Sequence, residues 1–200
     1  MYRLFYDYHA IGDILMIVFN NQKRTDRAEK RNEIALIYSG DELIGINIFN
    51  ISQIVRIKAK GMIVNPAQEF LQVINHILKN AEVDPLPEQT NSGFIVGQVL
   101  EIINNDEKDF RIAKVDIGSR VIYTKIAHLE VIENALVVIA LADTILFNGQ
   151  TVNVETIDGM YFEGKIATFK DLNIDASNEE DKVFIIEEFM EIGQDFFAKE

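Results

Sequence analysis

Clustered cations are the residues of this sequence best suited to chemistry. Lys23, Arg24, Arg27, Lys30 and Arg31 fall within one short stretch, and Arg56, Lys58 and Lys60 alternate farther on. Grouped lysines and arginines contact phosphates, and alternation along an extended segment puts the last three on one face. The same residues also read as a charged loop and the exposed side of an edge strand, where lysine discourages aggregation. Catalytic chemistry finds less support. His9, His76 and His128 lie in separate segments without metal-ligand spacing, and His76 reads as a structural histidine beside an apolar helix stripe. There is no glycine-rich phosphate loop and no GxSxG. Asn104–Asp109 is rich in oxygen but lacks the central glycine and distal glutamate of a calcium loop, so it reads as a solvated turn. With no cysteine, the chain has no disulfide, thiolate zinc site or cysteine nucleophile. We expect no catalytic residue, no metal and no cofactor.

The net charge of −13 is unevenly distributed. Residues 1–90 hold 10 Lys+Arg against 11 Asp+Glu, while residues 91–200 hold 9 against 21. Much of the second surplus lies after Leu172, where 9 acids face 2 bases. Glu179-Glu180-Asp181 and Glu187-Glu188 read as solvated faces or as contacts for a basic protein. No secretory leader and no stretch of ~20 apolar residues is present, so a cytoplasmic protein without membrane contact is expected.

The elements divide the chain in three. Residues 1–82 read as an α+β domain, 83–92 as a linker holding Pro85 and Pro87, and 93–200 as a small β-barrel domain with an acidic C-terminal extension. In the first part, strands are expected over Arg3–Tyr8, Asp13–Phe19, Glu33–Tyr38 and Leu43–Phe49. Phe70, Val73, Ile74 and Ile77 then mark one face of a helix over Pro66–Asn80, with Asn65 as N-cap. In the last part, strands are expected over Phe94–Ile103, Phe110–Asp116, Arg120–Ile126, Ala135–Leu141, Thr151–Thr156 and Met160–Ala167. Their number and spacing suggest an OB-like barrel. Lys182–Ile186 is a strand-like run that should dock the tail.

Four segments in order resemble a known family. Gly45-Ile46-Asn47-Ile48-Phe49-Asn50 resembles its "G-x-N-I-F-N", and Phe94-Ile95-Val96-Gly97-Gln98-Val99 its "F-x-V-G-x-V". Lys114-Val115-Asp116-Ile117-Gly118 and Glu191-Ile192-Gly193-Gln194-Asp195-Phe196 resemble its "x-V-D-V-G" and its closing "x-x-G-x-D-x". The family is that of YtpR-type tRNA-binding-domain proteins, which pair a small α/β domain with an OB-fold tRNA-binding module. Its polar loops are altered here. Asn104–Phe110 stands for "H-P-N-A-D-K-L", Thr124–His128 for "C-G-A-x-N", and Gly159–Lys165 for "G-V-x-S-x-G-M".

The resemblance implies non-catalytic binding of tRNA or another structured RNA. Lys108, Arg111, Lys114, Tyr123, Lys125, Lys165 and Lys170 are the RNA-contact candidates, with Lys23, Arg24, Arg27, Lys30 and Arg31 as an accessory basic patch. Lys114 is expected to point outward if Ile112 is core. Tyr123, Tyr161 and Phe162 suit base stacking, or else core or dimer contacts. The alternative function is protein interaction or homodimer assembly by a barrel that has lost RNA binding.

Overall fold

Isoleucine and leucine at every second position build the first sheet. In the computed structural model, which describes residues 2–104, 109–127, 130–175 and 179–198, the chain forms two compact units, Met1–Thr90 and Asn91–Glu200. The first contains β1 (Arg3–Tyr6), α1 (Tyr8–Ile11), β2 (Ile14–Val18), β3 (Arg27–Arg31), β4 (Ile34–Ser39), β5 (Glu42–Phe49), β6 (Gly61–Ile63) and α2 (Gln68–Asn80). The strands join in the order β3-β4-β5-β2-β1-β6 with antiparallel pairing throughout. Register places Leu4, Ile17, Ile46 and Leu36 side by side on one face. These four residues are buried together with Ile74 and Leu78 of α2. Each such side chain contributes about 1.5–3 kcal/mol relative to exposure.

Two local expectations shift. Arg27–Arg31 is a strand rather than a charged loop, because Asn32 (φ 51) turns the chain back so that Arg27 pairs with Tyr38 and Arg31 with Ile34. The helix starts at Gln68, and its N-cap falls to Ala67, which has no side-chain acceptor to offer. His76 lies on the exposed side of α2, where its Nε2 is 3.2 Å from Asn80 Nδ2. The stretch 83–92 carries no helix or strand. Val83 and Leu86 pack on the first core, and Ser92 is buried in the second unit.

The second unit contains β7 (Phe94–Ile103), β8 (Arg111–Asp116), β9 (Val121–Ile126), β10 (Leu136–Ala140), β11 (Glu155–Ile157), β12 (Met160–Phe162), β13 (Lys165–Ile166) and β14 (Ile185–Ile186). Its main sheet runs β13-β10-β7-β8-β9, with β14 also on β10, while β11 and β12 form a separate two-stranded arm. Val99, Val115, Ile122, Val137 and Ile139 are buried in its core.

This architecture corrects the expected α+β class with an OB-like barrel. The regular structure of the described residues is mostly strand, with two α-helices, and both large sheets are open. Between the ends of the second sheet, Glu163 N donates to Tyr123 O and Thr124 Oγ1 to Gly164 O, but no ladder joins β13 to β9. The reason is local. Gly164 (φ 105) breaks the run expected over Met160–Ala167 into β12 and a two-residue β13. The strand expected over Thr151–Thr156 is reduced to an isolated bridge, Ile145 to Thr151, followed by β11. No described helix is long and apolar enough to cross a membrane.

Candidate nucleic-acid interface

Three of the segments that carry the family resemblance meet in space as scaffold of the second unit. A Cβ on Gly97 would lie 2.8 Å from Val115 Cγ1 and 3.0 Å from Ile139 Cγ1, so glycine lets the neighbouring strands close over β7. Gly118 and Gly193 pack backbone to backbone, and a Cβ on Gly118 would come within 2.8 Å of Ile192 O. Val96 N donates to Gln194 O, Gly193 N to Val96 O and Phe196 N to Phe94 O, each at 2.8 Å. The Asp195 carboxylate accepts from Ser92 N, from Ser92 Oγ at 2.7 Å and from Phe197 N at 2.8 Å. Three of the four motifs thus fasten the C-terminal tail to the start of β7. In the first unit, Asn50 (φ 54) ends the remaining motif, and its Nδ2 donates to Glu33 Oε2 at 3.0 Å.

The contact candidates lie elsewhere. Residues two apart share a strand face, so Ile112 and Lys114 lie on the same side, contrary to the contrast expected between them. Lys114 is outward because its neighbours Ala113 and Val115 point into the core. Register sets Glu101, Lys114 and Tyr123 in one row across β7, β8 and β9, with Ile112 and Lys125 in the next. Tyr123 is half-buried, Tyr161 is 62% exposed, and Phe162 is a core side chain set edge-on to Phe110.

Each of these lysines has an acidic partner. Lys114 Nζ lies 3.8 Å from Glu101, Lys125 pairs with Glu155, and Lys170 lies 3.7 Å from Asp181. Lys165 Nζ is 2.6 Å from Asp171, whose carboxylate is buried and also accepts from Thr168 N. Lys165 is therefore the counterion of a buried acid, which breaking the pair would strand. Arg111 lies on β8, half-buried, on the core side next to Ile112. Lys108 falls outside the described residues, as do Asn105, Asp106, Glu107 and His128. Sequence reasoning missed Arg120, whose guanidinium meets Glu163 at 3.0 Å. An isolated arginine in a turn gives no signal of such a pairing.

The first-unit cations divide into two kinds. Lys23 pairs with Glu42, Arg27 lies 4.0 Å over the Tyr38 ring, and Arg31 Nε donates to Glu29 Oε1 at 2.7 Å. Arg24, Lys30, Arg56, Lys58 and Lys60 are exposed and form no ion pair among the described residues. The basic patch is also not continuous with Arg56–Lys60. β3 and β6 are opposite edges of the sheet, five strand steps apart, or about 24 Å at ~4.8 Å per step.

The paired acids should make the first unit modestly sensitive to acid. The hydrogen bond from Arg31 holds Glu29 below the ordinary value of 4.5, and that from Lys23 does the same for Glu42. A lowered folded pKa stabilises above the unfolded value and ceases to do so as pH falls through the folded one. The midpoint of thermal unfolding should fall as pH drops below 4.5. The double variant Glu29→Gln/Glu42→Gln should show a flatter dependence there, and equal slopes for both proteins would refute the assignment.

Comparison with known proteins adds two findings. Residues 21–86 match the model of a family described as a domain of unknown function (DUF4479), a range that includes all the first-unit cations discussed above. The phenylalanine–tRNA ligase beta subunit of Buchnera aphidicola subsp. Schizaphis graminum is 28% identical over 116 residues, which cover 56% of this chain and 14% of that one. The chain is thus similar, over part of its length, to a small part of a tRNA ligase subunit.

Proposed function

We propose that this chain is a non-catalytic, cytoplasmic binder of tRNA or another structured RNA, of the YtpR type. The observation that carries this reading is the similarity to a tRNA ligase subunit. Exposed cations and an outward face with Lys114 and Tyr123 in one row and Lys125 in the next are consistent with it. On this reading the two units act as separate domains, with Arg111, Lys114, Tyr123, Lys125, Lys165 and Lys170 on the second and Lys23, Arg24, Arg27, Lys30 and Arg31 on the first as contacts. Phosphates reaching the second unit must displace Glu101 and Glu155 from their lysines.

That competition supplies the test. Each exposed pair is worth about 0.2–1 kcal/mol, so Glu101→Gln/Glu155→Gln should tighten binding of bulk tRNA roughly two- to thirtyfold at low salt. Fluorescence titration measures it, and unchanged affinity would remove this face from the interface. If the unaltered chain binds no tRNA at low salt, the reading fails. Protein interaction then becomes the better account, drawing on Phe189, 90% exposed among acids.

A further inference from the structure

We propose that Arg56, Lys58 and Lys60 form the principal site at which this chain grips an RNA phosphodiester backbone, an inference that rests on the RNA-binding reading above. Between Glu42 and Glu69 the sequence has no acidic residue, and the stretch carries these three cations in a chain of net charge −13. A polyanion meets no carboxylate along this stretch of sequence, whereas the charged face of the second unit mixes both signs.

The structure shows why these side chains are presented. Residues 56–60 form no sheet ladder, yet their burial alternates, with Arg56, Lys58 and Lys60 exposed and Ile57 and Ala59 half-buried. Val55 and Ile57 pack against the first core, which anchors one side of the segment and leaves the charged side in solvent. In an extended chain, alternate residues stand about 6–7 Å apart, a spacing commensurate with successive phosphates of one strand. Protection of a strand edge does not explain these cations, because the segment has no ladder edge to protect.

No ion pair among the described residues occupies any of the three. The lysine partners Glu42, Glu101, Glu155, Asp171, Asp181 and Glu179 all serve other cations. Asp7, just beyond the Tyr6–Gly61 pair that ends the register before Lys60, already accepts from His9 N and Ala10 N. Phosphate can therefore bind this strip without first breaking a salt bridge, which it cannot do at Lys114, Lys125, Lys165 or Lys170.

The test uses the full chain and fluorescently labelled bulk tRNA at about 50 and 200 mM salt. Arg56→Glu/Lys58→Glu/Lys60→Glu should weaken binding at least tenfold at low salt and lower the slope of log affinity against log salt by roughly 2–3. The milder Arg56→Gln/Lys58→Gln/Lys60→Gln variant should lose less affinity but a similar part of the slope, and it guards against misfolding of the reversal variant. Lys23→Glu/Arg24→Glu/Arg27→Glu should cost less than the strip reversal. If the unaltered chain binds tRNA and the strip variants bind equally well, the strip proposal is overturned while RNA binding stands. If the unaltered chain binds no tRNA, both fall. Poly-glutamate bound as tightly as tRNA would overturn the assignment to a nucleic-acid backbone.

Discussion

Gly118→Ala is expected to destabilise the second unit by about 2–4 kcal/mol, clearly more than Gly149→Ala. Both glycines have positive φ, 79 and 84, so alanine is strained at each for the same backbone reason. Around Gly149 a Cβ meets nothing within 4 Å, so that variant should lose only the ~1–2 kcal/mol of a left-handed alanine. At Gly118 the Cβ would press on Ile192 O at 2.8 Å and Gly193 Cα at 2.9 Å, both backbone atoms that cannot rotate away. The tail must move, and its bonds to β7 should open with it. Urea denaturation of the two variants measures the difference, and hydrogen exchange at Val96 and Phe196 reports whether the tail lifts. Equal losses at the two glycines would show that the tail yields freely.

Phe94→Ala should cost more, about 3–5 kcal/mol, because it empties a fully buried aromatic site. Phe94 meets Phe197 edge-on with ring centroids 5.2 Å apart and lies 6.2 Å from Phe147. Phe197 in turn touches Phe196, which touches Phe184, which touches Phe169. The substitution removes the ring against which the last turn of the chain packs. Thermal unfolding of Phe94→Ala and Phe94→Leu should fall in that order of severity, since leucine refills part of the space. A loss below about 1 kcal/mol would mean that neighbouring rings collapse into the cavity.

The two variants address the most legible part of the sequence. Phe94, Gly97, Gly118, Gly193 and Asp195 stood out as motif residues, and their roles in closing the second unit follow from close approach and hydrogen bonding. Strand β9 was readable because its burial alternates, whereas β7 and β8 were readable as runs of β-formers buried in part on both faces. β3 was not readable, because Arg27, Glu29 and Arg31 face the core side at the sheet's edge, where long side chains stay in solvent. The open second sheet was equally hidden. Alternation over Met160–Ala167 says nothing about the backbone turn at Gly164 that shortens β13. Lys114 and Ile112, expected on opposite faces, share one because they lie two residues apart in β8.

The contact candidates show the same division. Residue type and clustering picked out the cations, since charge is a property of composition. Which cations remain available is a property of distance. Lys114 and Lys125 have acids from other strands brought against them, and Lys165 and Lys170 have acids from farther along their own segment, whereas Arg56, Lys58 and Lys60 do not. The sequence by itself determined the apolar periodicities, the motif glycines and the uneven charge, because each depends on residues close together or on residue type alone. Only the tertiary structure decided where the sheets stay open and which positive charges are neutralised, because both depend on contacts between residues far apart in the chain.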